Sequence, residues 1–146
     1  MERLIFYDWD RVLDINLKGT FLCSQVVFGQ MKKAKYGKII NIASMAGERG
    51  RRFAGVNYSA SKAGIIVMTK CFALEGGAFN INVNAIARGL IDTEMSKQLD
   101  FLIDNILLRR LGTPMEVGDL VVFLASEKSK YITGATIDIN GGIFMR

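Results

Sequence analysis

One short run, GKIINIAS at residues 37–44, constrains the fold more than any other stretch of the chain. An apolar segment this brief and this rich in isoleucine reads as a buried strand, here over 38–43, ending on Ser44. The stretch from about 57 to 78 follows it, with Ser59, Ala60, Ala63 and Gly64 permitting close backbone approach and Ile66, Val67, Met68, Phe72 and Leu74 supplying bulk; it reads as a long helix. INVNAIA at 81–87 alternates Ile81, Val83 and Ala85 with Asn82 and Asn84, a strand with one more polar face than a fully buried parallel strand usually shows. A last strand is expected at about 135–139, within YITGATIDINGG. Strand and helix therefore alternate, which points to an α/β architecture, and 146 residues make one domain's worth at most.

The flanking segments fit that order. Asp8 and Asp10 open, and Lys32, Lys33 and Lys35 close, a helix over 8–35 whose apolar positions Trp9, Val12, Leu13, Leu17, Phe21, Val26 and Val27 suit a largely buried element stopped by Gly37. Residues 94–108 form a mixed helical stretch. Thr113, Pro114 and Glu116 then spell a capping box for a helix over 114–127 with Val117, Leu120, Val121 and Leu124 as its core stripe.

Composition removes several kinds of chemistry. The chain has no histidine, which excludes His-based triads and most zinc sites, so no metal is expected. Cys23 and Cys71 lack ligand spacing and read as buried free thiols in a reducing, cytoplasmic setting. No apolar run reaches membrane-span length, the N-terminus lacks a signal-peptide pattern, and no nucleic-acid module is visible. Of the net charge of +5, the densest cluster is Arg49, Arg51 and Arg52; either a solvated surface or attraction for an anionic substrate explains it.

That cluster lies inside the stretch with the most chemical content, SMAGERGRRFAGVNYSASK from Ser44 to Lys62. On a helix, Tyr58 and Lys62 stand one turn apart on one face. A phenol is a poor acid or base at neutral pH, but a cation within a few ångströms favours its phenolate form. Ser44, beyond the carboxyl end of a strand where ligands of open parallel sheets sit, would offer its hydroxyl to a substrate oxygen gaining negative charge.

The whole word, strand to serine to YSASK helix, resembles the catalytic segment of the short-chain dehydrogenase/reductase family. The resemblance implies the C-terminal half of a Rossmann-like doubly wound parallel sheet, about three strands with flanking helices, with the N-terminal dinucleotide-binding half absent and 1–146 a single partial domain. It implies an oxidoreductase using NAD or NADP, in which Tyr58 exchanges a proton with the substrate oxygen, Ser44 holds that oxygen, and Lys62 acts on Tyr58 and binds nicotinamide ribose. Asn16, in DINLKGTF, would hold a relay water by the same resemblance, whereas on spacing alone it reads as a polar residue on a wet face. In RGLIDTEM, the backbone at Ile91 and the side chain of Thr93 would bind the nicotinamide carboxamide; without the family, Thr93 reads as an N-cap. Arg88 departs from the pattern, standing where the family has proline. No two glycines lie two residues apart, so neither GxGxxG nor TGxxxGxG can occur.

For substrates, 3-oxoacyl chains on a carrier protein and sugars or polyols resemble the pattern equally, with the arginine cluster tilting toward an anionic carrier. The resemblance also implies a homo-oligomer, a dimer or tetramer, formed through the helices at 8–35 and 57–78, with the helix at 114–127 and the last strand making a second interface. A truncated, non-catalytic fragment acting through those helices is the alternative function.

Overall fold

A computed structural model describes residues 6–50, 54–94 and 103–145. Three strands, β1 (Gly37–Ile42), β2 (Ile81–Arg88) and β3 (Thr136–Ile139), form one sheet in the order β1-β2-β3. Both pairs are parallel, with Gly37 beside Ile81 at the start of the first and Ala85 beside Thr136 at the start of the second. The helices are α1 (Phe6–Leu13), α2 (Gly19–Ala34), α3 (Ala46–Arg49), α4 (Val56–Gly76) and α5 (Pro114–Ala125). Between α1 and α2 the chain takes one wide π turn, Asp14–Lys18.

The apolar alternation of the strands builds two buried clusters. Ile39, Ile81 and Val83 pack with Phe28 of α2 and Ala73 of α4, and the Phe28 and Phe72 rings meet edge to face at 5.1 Å. Ala43 and Ala85, near the carboxyl ends of their strands, pack on Ile65 and Ile66. Burying each isoleucine, valine or phenylalanine side chain contributes about 1.5–3 kcal/mol relative to leaving it exposed. The expected cap of α5 forms as a complete capping box: Glu116 donates its backbone N–H to Thr113 Oγ1, and Thr113 donates its own to the Glu116 carboxylate at 2.7 Å. Arg110 grips the same carboxylate, holding it down to about 2.

Several expectations are corrected. The helix over 8–35 is not largely buried: α2 buries only Ser24 and Phe28, while Val26 is 72% exposed and Phe21 and Val27 are partly bare, because open grooves lie on two of its sides. Those grooves also expose Cys23 and Cys71, both free and neither buried. Gly37 does not stop the helix. Lys35 does, in a left-handed conformation at φ 52°, and Gly37 is instead the first residue of β1, where a side chain would strike Met31.

The polar face of β2 is put to use inside the fold, with Asn82 half-buried and Asn84 buried. Asn84 is 1% exposed, donating to the carbonyl of Ile132 and accepting from the N–H of Ala135, so it fastens the approach to β3. Of the stretch 94–108, read as mixed helical, residues 95–102 lie outside the described residues, while Glu94 and residues 103–105 are in 3-10 conformation. In α5 only Leu124 of the expected stripe is fully buried.

Candidate active site

The site residues converge where the sheet's carboxyl ends meet the start of α4. The ladder continues past β1: Ala43 donates to the carbonyl of Ile86 and Met45 to that of Arg88. Ser44 is thereby held beside the end of β2, 6% exposed, and its Oγ accepts the N–H of Ala46 at 3.2 Å. The short α3 that follows lies directly on α4. At Gly47 an added Cβ would stand 2.5 Å from backbone atoms of Lys62 and Ala63, so only glycine lets the serine loop come this close to the helix carrying Tyr58 and Lys62.

Tyr58 and Lys62 share a face of α4, and the Lys62 ammonium lies 5.7 Å from the centre of the Tyr58 ring. Its hydrogen bond goes elsewhere, to the backbone carbonyl of Ile42 at 2.9 Å. Among the described residues no hydrogen bond joins Ser44 to the Tyr58 hydroxyl. Burial holds the Lys62 ammonium below the ordinary lysine value, and the guanidinium of Arg88 adds to the effect. Arg88 therefore acts on the site electrostatically, as its position at the end of β2 allows. Its own weak hydrogen bond, at 3.4 Å, is to the carbonyl of Gly89.

Asn16 sits within the wide π turn and donates its amide to Ser61 Oγ at 3.0 Å. Ser61, in turn, donates to the carbonyl of Tyr58 at 2.7 Å. The chain Asn16–Ser61–Tyr58 ties the helix before β1 to the turn of α4 between the tyrosine and the lysine. Such wide turns recur at functional sites because they swing one side chain out of helical phase.

Ile91 and Thr93 follow the carboxyl end of β2. Leu90 and Asp92 exchange backbone hydrogen bonds with Gly112, a bridge that turns the N–H and C=O of Ile91 itself the other way. Ile91 is buried and Thr93 is exposed. A donor–acceptor pair of this kind suits a primary amide such as a nicotinamide carboxamide. The pyrophosphate end of a dinucleotide has no matching turn in this sequence, since no GxG occurs. Of the arginine cluster, Arg49 lies over the Phe144 ring and bonds the carbonyl of Ile143, whereas Arg51 and Arg52 are outside the described residues.

Two supports were not read from the sequence. Asn57, 8% exposed, accepts the N–H of Tyr58 and donates to the carbonyl of Asp8, pinning α1 to the first turn of α4. Asn41, buried on β1, donates to Thr69 Oγ1 at 2.9 Å. An asparagine inside an otherwise apolar strand is the signal for the second; nothing local marks the first. Among the described residues no cluster of His, Cys, Asp or Glu could hold a metal, and no helix is long and apolar enough to cross a membrane.

Comparison with known proteins bears on this arrangement. The sequence profile described as Enoyl-(Acyl carrier protein) reductase matches residues 4–144. The chain is 44% identical over 150 residues to the 3-oxoacyl-[acyl-carrier-protein] reductase FabG of Staphylococcus epidermidis, covering 99% of this chain and 61% of that protein. It is 42% identical over 149 residues to an acetoacetyl-CoA reductase of an Acinetobacter species, covering 99% of this chain and 60% of the other. Among solved structures, a 3-oxoacyl-[acyl-carrier protein] reductase from Brucella melitensis with bound NAD superposes with a TM-score of 0.95 at 35% identity, over 100% of this chain and 55% of that one. The chain thus spans about three-fifths of the length of the curated relatives it matches.

Proposed function

The chain belongs to the short-chain dehydrogenase/reductase family, and we propose on that premise that its site serves the NAD(P)-linked interconversion of a carbonyl and an alcohol on a 3-oxoacyl chain attached to an anionic carrier. The observation that carries this reading is the Lys62 ammonium, 5.7 Å from the Tyr58 ring and hydrogen-bonded to the carbonyl of Ile42 at the carboxyl end of β1, two residues before Ser44.

In this reading Ser44 donates a hydrogen bond to the substrate oxygen and Tyr58 supplies the proton that oxygen takes up. The Lys62 cation offsets the negative charge left on the phenol and binds a ribose hydroxyl. Asn16, through Ser61, holds the Tyr58 turn in place and presents its polar group toward Lys62 for a relay water. The backbone of Ile91 and the hydroxyl of Thr93 would orient the carboxamide of a nicotinamide, which when bound supplies or accepts the hydride. The relatives named for 3-oxoacyl carrier and acetoacetyl-CoA substrates support the acyl class over sugars and polyols. Arg49, beside the site loop, suits a phosphorylated carrier arm.

The test is NADPH and NADH binding by fluorescence, with acetoacetyl-CoA turnover, on the 146-residue chain. Binding is expected to weaken about tenfold or more in Lys62→Ala, and turnover to fall at least about a hundredfold in Tyr58→Phe with binding retained. No binding of either nucleotide up to millimolar concentration would sink the reading.

A second reading has an observation of its own. An apolar groove of about 700 Å³ runs between the helix pair before β1 and α4, lined by Leu13, Leu17, Phe21, Gly64, Val67 and Phe72. It supports association of two copies through these helices. Sedimentation should show a dimer that Val67→Glu dissociates; a wild-type monomer at tens of micromolar would remove this reading.

A further inference from the structure

Arg88 closes β2, half-buried, and its backbone carbonyl accepts the N–H of Met45 at 3.1 Å. The chain at Ser44 is thus fastened on one side by the Lys62 ammonium, through the carbonyl of Ile42, and on the other by the backbone of Arg88. Both of these residues are cations, and among the described residues neither is ion-paired. The guanidinium bonds only the carbonyl of Gly89, weakly at 3.4 Å.

The acids around the end of β2 do not offset this charge. Asp138 stands beside Ala87 in the register with β3, and consecutive residues of a strand point to opposite faces, so its carboxylate is across the sheet from the guanidinium. Asp92 is exposed, beyond the bridge to Gly112. The two cations act on each other instead: burial first, and then the guanidinium, hold the Lys62 ammonium below the ordinary lysine value. A guanidinium does not lose its proton in a protein, so the positive field at this end of the sheet is permanent.

Such a field distinguishes the two redox forms of a nicotinamide. The oxidised ring is a cation and the reduced ring is neutral, so a fixed positive charge disfavours the first and is nearly indifferent to the second. In the function proposed above, the carboxamide seat begins at Ile91, three residues after Arg88. We propose that Arg88 sets the redox preference of this seat, admitting the reduced nucleotide and disfavouring the oxidised one. The inference rests on that function, since it takes the nicotinamide to lie at Ile91 and Thr93. The same field opposes the positive charge that hydride transfer to a carbonyl creates, so Arg88 acts on loading and release rather than on the chemical step.

The test is calorimetric titration of the 146-residue chain with NADPH, NADP+, NADH and NAD+. Attraction between the guanidinium and the phosphates of a nucleotide is common to both redox forms and cancels in the ratio of their dissociation constants. The parent chain should bind each reduced form more tightly than its oxidised partner. Arg88→Gln should narrow that ratio about three- to tenfold, mainly by tightening the oxidised form, the effect of one unit charge acting on another over several ångströms near a protein surface. Arg88→Met repeats the loss of charge with a different side chain, and circular dichroism checks that both variants are folded. Arg88→Lys keeps the charge and should keep the parent ratio.

An unchanged ratio in the two neutral variants would overturn the proposal. So would a ratio that falls as far in Arg88→Lys, which would assign the effect to the shape of the arginine rather than its charge. Either result leaves the proposed function standing, because the nucleotides still bind. Failure of every nucleotide to bind the parent chain up to millimolar concentration removes that function, and this inference with it.

Discussion

A graded glycine-to-alanine series tests whether the serine loop is pressed onto α4 as closely as the structure has it. At Gly47 the new methyl would meet the backbone nitrogen of Ala63 and the carbonyl carbon of Lys62, each at 2.5 Å, and the Lys62 oxygen at 2.8 Å. These atoms belong to the middle of a helix and cannot rotate away. Restoring ordinary contact requires α3 to retreat by about 0.9 Å, an overpacking that costs about 1–3 kcal/mol. Because Gly47 donates its N–H to the Ser44 carbonyl, the retreat carries Ser44 with it. At Gly64 the obstacle is only the methyl tips of Leu17, at 2.7 and 2.9 Å, which can turn aside; the gain in helix propensity, about 1 kcal/mol, largely offsets that strain. At Gly29 nothing lies within 4 Å, so alanine should stabilise by about 0.5–1 kcal/mol. Urea unfolding followed by circular dichroism measures all three, and the expected order of stability is Gly29→Ala, Gly64→Ala, Gly47→Ala. A Gly47→Ala chain as stable as Gly29→Ala would refute the close approach and the placement of Ser44 that depends on it.

Lys62 should titrate below the ordinary lysine value, read by NMR of reductively methylated lysines, and Arg88→Gln should move it upward; a Lys62 titrating at the ordinary value in the parent chain would contradict the burial assigned to it. The sign for stability follows from a folded pKa lower than the unfolded one: the charged lysine disfavours folding below its folded pKa, and that penalty is relieved as pH rises toward the unfolded value. Thr113→Ala removes one arm of the capping box and should cost about 1 kcal/mol in urea unfolding; no change would mean the box contributes nothing to α5. Cys23 and Cys71 should both react with a thiol reagent in the absence of denaturant, whereas protection of either until unfolding would restore the buried reading.

The sheet was legible because its strands carry their own period: GKIINI and the alternating apolar positions of INVNAIA are strand patterns whatever surrounds them. The cap of α5 was legible for the same reason, since Thr113, Pro114 and Glu116 act within one turn. What failed was burial. Val26, Cys23 and Cys71 are apolar or weakly polar residues that would be covered if both flanks of α2 were filled, and a sequence does not state whether its neighbours are present. The polar face of β2 was legible, but its use was not: the Asn84 amide replaces backbone partners in the turn at 132–135. Of the site residues, the pairing of Tyr58 with Lys62 followed from spacing and Ser44 from its strand end. The bond from Lys62 to Ile42 could not be read, because it depends on which edge of β1 lies open.

The wide turn at Asp14–Lys18 makes the length of the first helix negotiable. Gly19 bonds back to the carbonyl of Asp14, so this turn holds one residue more than an α turn would. Loss of a single residue here would restore regular α-helical bonding and leave α1 and α2 in nearly the same phase, because the wide turn takes up its extra residue within one revolution. Asp8 would keep its place beside Asn57, but the turn that presents Asn16 to Ser61 would be gone. The surplus residue therefore adds a polar contact to the flank of a helix without moving either of its ends.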